Sequence, residues 1–178
     1  MNLSFWNYEI SRGGKVFRNG EEMNQSMIGE YKRVALKNPF ENKFKSFLVH
    51  RLVAFLYVPN PAPSIFRCVD HIDGTKNNHY TNLRWVNHHL NSINRTSARG
   101  CYFVKRWKKW RARLCGKNLG YYRTEKAAHS AYKRAQQEYF NTTYQRYLDA
   151  ESSTPADDST NIQTTEESSF RRYPSYYT

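Results

Sequence analysis

Cysteine is scarce in this chain of 178 residues: Cys68, Cys101 and Cys115 are the whole complement, and no two form a C-x-x-C pair. An odd, scattered set argues against a disulfide framework and for a reducing compartment. It also leaves out a four-cysteine zinc site. Long apolar runs are missing too, and no stretch reaches the roughly 20 residues that a membrane-crossing helix needs. The start, MNLSFWNYEISRGGK, lacks a basic segment followed by an apolar one, so it does not read as a secretory leader. These absences predict an intracellular, soluble protein with no membrane partner. Acidic residues are few until the end of the chain. Residues 1–148 hold 26 Lys and Arg against 9 Asp and Glu, whereas residues 149–178 hold 2 Arg against 6 acids. A body so basic repels itself unless it meets a polyanion, and phosphate backbones are the commonest one. A ribosomal or merely soluble basic protein explains the charge equally well.

What is present divides into four segments. Residues 1–48 form a strand-rich N-terminal module, with β-prone runs YEIS, KVF, YKRVAL and FKSFLV. Arg12-Gly13-Gly14, Arg18-Asn19-Gly20 and Lys37-Asn38-Pro39 punctuate them. In YKRVAL neither face is cleanly apolar, as in a small sheet with little core. Residues 49–95 open on HRLVAFLY, a short run of helical period ended by Pro59-Asn60-Pro61. An apolar strand IFRCV follows into Asp70-His71, then a Gly- and Asn-rich loop, a strand LRWV and a helix starting near Asn87. Residues 96–141 read as strands CYFVK, WRARLC and KNLGYY, then a helix capped by Thr124 and running to about Phe140. Ala128, Ala131, Ala135 and Tyr139 form one stripe on that helix. Residues 142–178 are expected to be a disordered, Ser/Thr-rich acidic tail, which from 149 onward holds almost no aliphatic residues. No long-period repeat is present.

Chemistry concentrates in VDHIDGTKNNHYTNLRWVNHHLNSINR. Hydrolysing a phosphodiester near neutral pH needs an activated water and a positive charge on the phosphate and leaving oxygen. A neutral imidazole suits the first task and a hard divalent ion on oxygen ligands the second. Asp70 and His71 are adjacent on a strand, so their side chains point to opposite faces, and a neighbouring element must complete the site. The Asn-bearing helix that follows is that element. The run resembles the HNH, or His-Me finger, endonuclease family, in the form found in phage and intron-encoded homing endonucleases. The matching pieces are HRLVAFLY, VDHIDG, the Asn-rich loop, NLRWV and an Asn nine residues after Asn82. The resemblance implies that Asp70 and Asn91 are metal ligands, that His71 is the general base, and that Asn82 braces the loop so that His71 keeps its tautomer. The implied cofactor is a divalent ion, Mg2+ ahead of Mn2+ and not zinc. The implied products carry 3′-hydroxyl and 5′-phosphate ends. His50 is read as a cap or packing residue ahead of a DNA contact, His79, His88 and His89 as surface histidines, Asp73-Gly74 as a turn, and Cys68 as core.

In WRARL, alternation sets Trp110, Ala112 and Leu114 on one strand face and Arg111 and Arg113 on the other. The segment GCYFVKRWKKWRARLCGKNLGYYRTEKAAHSAYKRAQQEYF resembles the Apetala/ethylene-response-factor DNA-binding domain. That resemblance implies that Lys105, Arg106, Trp107, Lys109, Arg111 and Arg113 face double-stranded DNA, with the sheet in the major groove. The N-terminal stretch looks like the small modules that precede such nuclease cores, or else extends the catalytic sheet.

The chain is therefore read as an α+β protein: a ββα-metal nuclease core, a strand-rich N-terminal extension and a three-stranded-sheet-plus-helix DNA-binding module. Its expected activity is metal-dependent nicking of DNA by a monomer at a recognised site. The alternative is a non-catalytic, sequence-specific DNA-binding regulator that retains the nuclease fold as structure. An RNA-binding ribonucleoprotein component explains the charge but not the Asp-His-Asn constellation. The modules are expected to be separable, so that a chain ending near Arg95 keeps the catalytic core.

Overall fold

The structure, a computed structural model, describes residues 7–38, 42–94 and 99–153. The N-terminal segment is built from short antiparallel strands. β1 (Tyr8–Ile10), β2 (Val16–Arg18) and β3 (Glu21–Glu22) form one sheet, and β4 (Ser26–Ile28), β5 (Tyr31–Asn38) and β6 (Lys43–Leu48) another. Asn19 and Gly20 both have positive φ, 51° and 83°, which the two-residue turn between β2 and β3 requires. In β5 one face is buried after all: Val34, Leu36 and Asn38 point inward. Two aliphatics suffice because α1 (Val49–Tyr57) lies directly behind, and they join Tyr8, Ile10, Val16, Val49 and Val53 in one core. The N-terminal strands thus share the core of the segment that follows them.

β7 (Cys68–His71) and β8 (Leu83–Val86) make an antiparallel pair in which Asp70 faces Arg84 and His71 faces Leu83. Ile65 and Phe66 are not in the strand, since their amides bond back to Ala62 in a turn. α2 (His88–Ile93) follows at once, with Asn87 as its cap accepting from the Leu90 amide. Strand, strand and helix form a compact ββα unit, with Leu83, Trp85, Val86, Leu90 and Ile93 on its buried side.

β9 (Cys101–Val104), β10 (Lys109–Leu114) and β11 (Lys117–Tyr122) form the third three-stranded sheet, which lies on α3 (Glu125–Ser152) through Trp110, Ala112, Leu114, Ala128 and Tyr132. Thr124 caps α3 as expected. Gly100 is required at its position, because a Cβ there would stand 2.1 Å from the Tyr132 ring. The helix does not stop near Phe140. It continues to Ser152, and its buried stripe is Ala128, Ala131, Tyr132, Gln136 and Phe140, while Ala135 is half-buried and Tyr139 exposed. Its second half crosses to the other core, where Phe140 is joined by Tyr144, Tyr147 and Leu148. Residues 142–152, expected in a disordered tail, are therefore helical; residues 154–178 lie outside the described residues. The expected boundary at 141/142 falls inside α3, and the one near 95/96 lies in the undescribed residues 95–98. No helix among the described residues is long and apolar enough to cross a membrane.

Candidate active site and nucleic-acid interface

His71 ends β7 and is buried, as is Asn78 in the loop beyond it. The His71 Nε2 lies 3.0 Å from Oδ1 of Asn78. An amide oxygen only accepts, so Nε2 carries a hydrogen, and in the neutral ring it is Nδ1 that holds the lone pair a general base needs. Asn82 works on the backbone of the same loop. Its Oδ1 accepts from the Asp73 amide (3.2 Å) and its Nδ2 donates to the Asn77 carbonyl (2.9 Å), tying the loop's two ends together. Asp73 also turns the chain locally by accepting from the Thr75 amide and hydroxyl. The imidazole is therefore held directly by Asn78 and only through the loop by Asn82. The N-terminal hairpin closes over this loop: a Cβ on Gly14 would stand 3.0 Å from Cβ of Asn78, and its φ of 85° also favours glycine.

Asp70 is buried on the preceding position, with three donors converging on its Oδ2. They are Arg84 Nε (2.9 Å), Arg84 Nη2 (2.8 Å) and Asn94 Nδ2 (2.8 Å). Asn94 Nδ2 also reaches the His71 carbonyl at 3.3 Å. Asn91, expected to share a metal with Asp70, is exposed on α2, and the amide that bonds Asp70 is that of Asn94. Helix phase explains the difference. Leu90 and Ile93 anchor α2 to the core, and the residue sharing their face at i+4 from Leu90 is Asn94, whereas Asn91 lies about 100° further round.

Behind His71 sits a second imidazole. His50 is buried in α1, its ring 5.1 Å from that of His71 and 5.2 Å from that of Tyr31. Among the described residues nothing bonds its Nδ1. Burial, then electrostatic interaction with the neighbouring His71, Arg51 and Lys76, pushes its pKa down to about 3, so it is neutral at ordinary pH. Lys76 caps the cluster with its Nζ 4.5 Å from the Tyr31 ring and 3.2 Å from the Tyr31 hydroxyl. His79, His88 and His89 are exposed; His88 approaches Cys68, which is half-buried.

A divalent ion here would take one carboxylate and one amide oxygen, from Asp70 and Asn94. Among the described residues no three His, Cys, Asp or Glu side chains come together as a ligand set. Two hard oxygen donors fit Mg2+, which keeps several waters and borrows phosphate oxygens to complete its octahedron.

In the third sheet the expected DNA-facing residues separate. Lys105, Arg106 and Trp107 lie in a single 3-10 turn after β9 and not on a strand, because Lys108 takes a left-handed conformation (φ 49°). Trp107 is half exposed and stands edge-on to Tyr121, with centroids 4.7 Å apart, and Lys109 begins β10 beside it. Arg111 is pinned on this face, bonded to Asn118 Oδ1 (3.0 Å) and the Tyr102 hydroxyl (3.2 Å), with its guanidinium 5.6 Å from the Tyr121 centroid. Arg113 keeps the same strand face, since the register shift opposite it skips Leu119 on β11, but its guanidinium donates to the Gly116 carbonyl in the turn. The sequence does not single out Tyr102, Asn118 or Tyr121, because nothing but strand pairing marks them.

No protein-family model matches the chain. In sequence it is 42% identical over 91 residues to HNH endonuclease L245 of Acanthamoeba polyphaga mimivirus, covering 49% of this chain and 26% of that one. It is 35% identical over 94 residues to DNA endonuclease I-HmuI of Bacillus phage SP01, covering 51% of this chain and 52% of that protein. A solved structure showing DNA binding and cleavage by the HNH homing endonuclease I-HmuI aligns with a TM-score of 0.45 at 32% identity, over 61% of this chain and 63% of that one. The chain spans about a quarter to about half the length of the curated relatives it matches.

Proposed function

We propose that this protein is an HNH-type, divalent-metal-dependent DNA endonuclease of the homing kind that nicks one strand. One observation carries the proposal. Asn94 Nδ2 donates to Asp70 Oδ2, which sets the Asn94 amide beside that carboxylate, while His71, the residue next to Asp70, has its Nε2 engaged by Asn78. The similarity of about half the chain to proteins named HNH endonucleases supports the same chemistry. His71 takes the proton from a water in line with the scissile phosphorus, and Asn78 keeps the imidazole in the tautomer that can accept it. Asn82 holds the loop so that His71 does not drift. Asp70 and Asn94 are the oxygen ligands. A bound Mg2+ would supply the positive charge that phosphodiester hydrolysis needs. Lys105, Arg106, Trp107, Lys109 and Arg111 bind double-stranded DNA, with the basic residues on phosphates and Arg111 held rigidly enough to address a base edge.

A second reading has its own observation. Asp70 is already neutralised by Arg84, as in a structural ion pair, which suits a DNA-binding regulator without catalysis. Supercoiled plasmid incubated with the pure full-length protein separates the two. Open circles that form with Mg2+, vanish with chelator and are absent for His71→Ala support the nuclease. Tight plasmid binding with no Mg2+-dependent relaxation supports the regulator.

A further inference from the structure

Arg84 is bonded on one side and stacked on the other. Both its Nε and its Nη2 donate to Oδ2 of Asp70, and the guanidinium carbon lies 3.8 Å from the centroid of the Phe140 ring. The β7–β8 register alone brings Arg84 opposite Asp70. It does not fix the plane of the guanidinium, which swings on several rotatable bonds unless something flat holds it. Phe140 is that surface. It is buried in α3, stacks on Tyr144 at 5.9 Å, and Tyr144 in turn stacks on Phe66 at 4.8 Å. With Asn94 on the same oxygen, three donors load Oδ2 and none of them touches Oδ1. A carboxylate loaded on one oxygen presents the other to a cation in a fixed direction.

We propose that Phe140 is a positioning residue for Asp70, acting through Arg84, so that the helix carrying the third sheet also sets the geometry of the metal site. This rests on the reading of Asp70 as a metal ligand. A merely structural Phe140 would contribute packing alone, and its loss would lower stability without changing how the site takes a cation. The linkage spans 56 positions of chain between Arg84 and Phe140 and joins the ββα unit to the element behind the DNA-facing sheet.

Mn2+ binding to the full-length protein, followed by electron paramagnetic resonance without DNA, tests this independently of cleavage. Phe140→Leu keeps an apolar side chain but removes the ring face, and it should weaken Mn2+ binding about tenfold. Phe140→Tyr keeps the face and should bind within roughly twofold of wild type. In an Arg84→Lys background Phe140→Leu should add almost nothing, because the planar group it acts on is gone. Wild-type Mn2+ binding by Phe140→Leu, or a loss that adds in full to that of Arg84→Lys, overturns the proposal. Should Phe140→Leu fail to fold, Arg84→Lys carries the test alone: unchanged Mn2+ binding there is equally fatal. Asp70→Asn separates the two levels. If it abolishes Mn2+ binding while Phe140→Leu binds normally, only the Phe140 linkage fails; if it binds normally, the ligand assignment beneath it fails.

Discussion

The Nε2 of His71 and the Oδ1 of Asn78 meet at 3.0 Å, and both residues are buried. Removing the amide leaves the imidazole free to carry its proton on either nitrogen and to rotate. Asn78→Ala is expected to slow nicking about 10- to 100-fold with DNA affinity nearly intact, and His71→Ala roughly 100- to 10,000-fold. Single-turnover nicking beside Ca2+-supported binding would measure both. A wild-type rate for Asn78→Ala would mean that the loop alone orients His71.

Asn94 and Asn91 make a sharp pair. Asn94→Ala and Asp70→Ala should both raise the Mg2+ concentration needed for nicking, Asp70→Ala more so because it removes the only negative charge of the pair. Asn91→Ala should leave the titration unchanged, since its side chain is in solvent. The reverse ranking of the two asparagines would return the ligand role to Asn91.

His50 predicts a pH dependence of stability. Its folded pKa of about 3 lies below the ordinary 6.5, so between those values the unfolded chain binds a proton that the folded one refuses. Its contribution is complete above about pH 6.5 and is lost as pH falls towards 3, with a slope approaching 1.4 kcal/mol per pH unit inside that window. Urea denaturation from pH 4 to 7 should show the slope in wild type and a shallower one in His50→Gln, which cannot titrate. Parallel curves for the two proteins would remove His50 as the source.

Much of this was legible in the sequence, and the rest was hidden for stateable reasons. Adjacent Asp70 and His71 on a strand, Asn82 on the loop and Asn87 at a helix start could all be read from local pattern. Asn94 was legible in principle: once Asn87 is the cap, Leu90 and Ile93 set the buried face, and Asn94 continues it. A fixed nine-residue interval from Asn82 points three positions earlier, to Asn91. Asn78 was not legible, because Asn77 and Asn78 are equivalent until the loop folds. The length of α3 is hard to read because NTTYQRYLDAES is polar, and only Tyr144, Tyr147 and Leu148 at helical spacing reveal that it meets a second core. Nothing local could pair Arg84 with Phe140.

The sheet arginines should behave differently. Arg111 is immobilised by Asn118, Tyr102 and Tyr121 before any DNA arrives, whereas Arg113 is turned to the Gly116 carbonyl. Arg111→Ala is expected to cost about 1–3 kcal/mol at one base position and to relax preference there. Arg113→Ala should have little sequence effect. Binding selections on a randomised duplex library would show it, and equal loss of preference for both variants would mean that the turn opens on DNA.

Separability of the modules is the expectation that the packing most directly opposes. A chain ending at Arg95 would lack Phe140, Tyr144, Tyr147 and Leu148, which pack on the core around Phe66, and also Gln136, whose side-chain amide donates to the Ile93 carbonyl at the end of α2. A fully buried apolar side chain is worth about 1.5–3 kcal/mol, and a whole domain is stable by only about 5–15 kcal/mol. Losing this face removes a large fraction of that margin and uncovers Arg84 as well. The truncated chain should therefore melt far below the full-length protein and show little nicking even at low salt, instead of surviving as an indiscriminate nuclease. A chain ending at Ser153, which keeps every one of these contacts, should match the full-length protein in melting temperature and Mg2+ titration. Cooperative thermal unfolding followed by circular dichroism would decide it: a chain ending at Arg95 that unfolds near the full-length temperature would show that α3 rests on the ββα unit without supporting it.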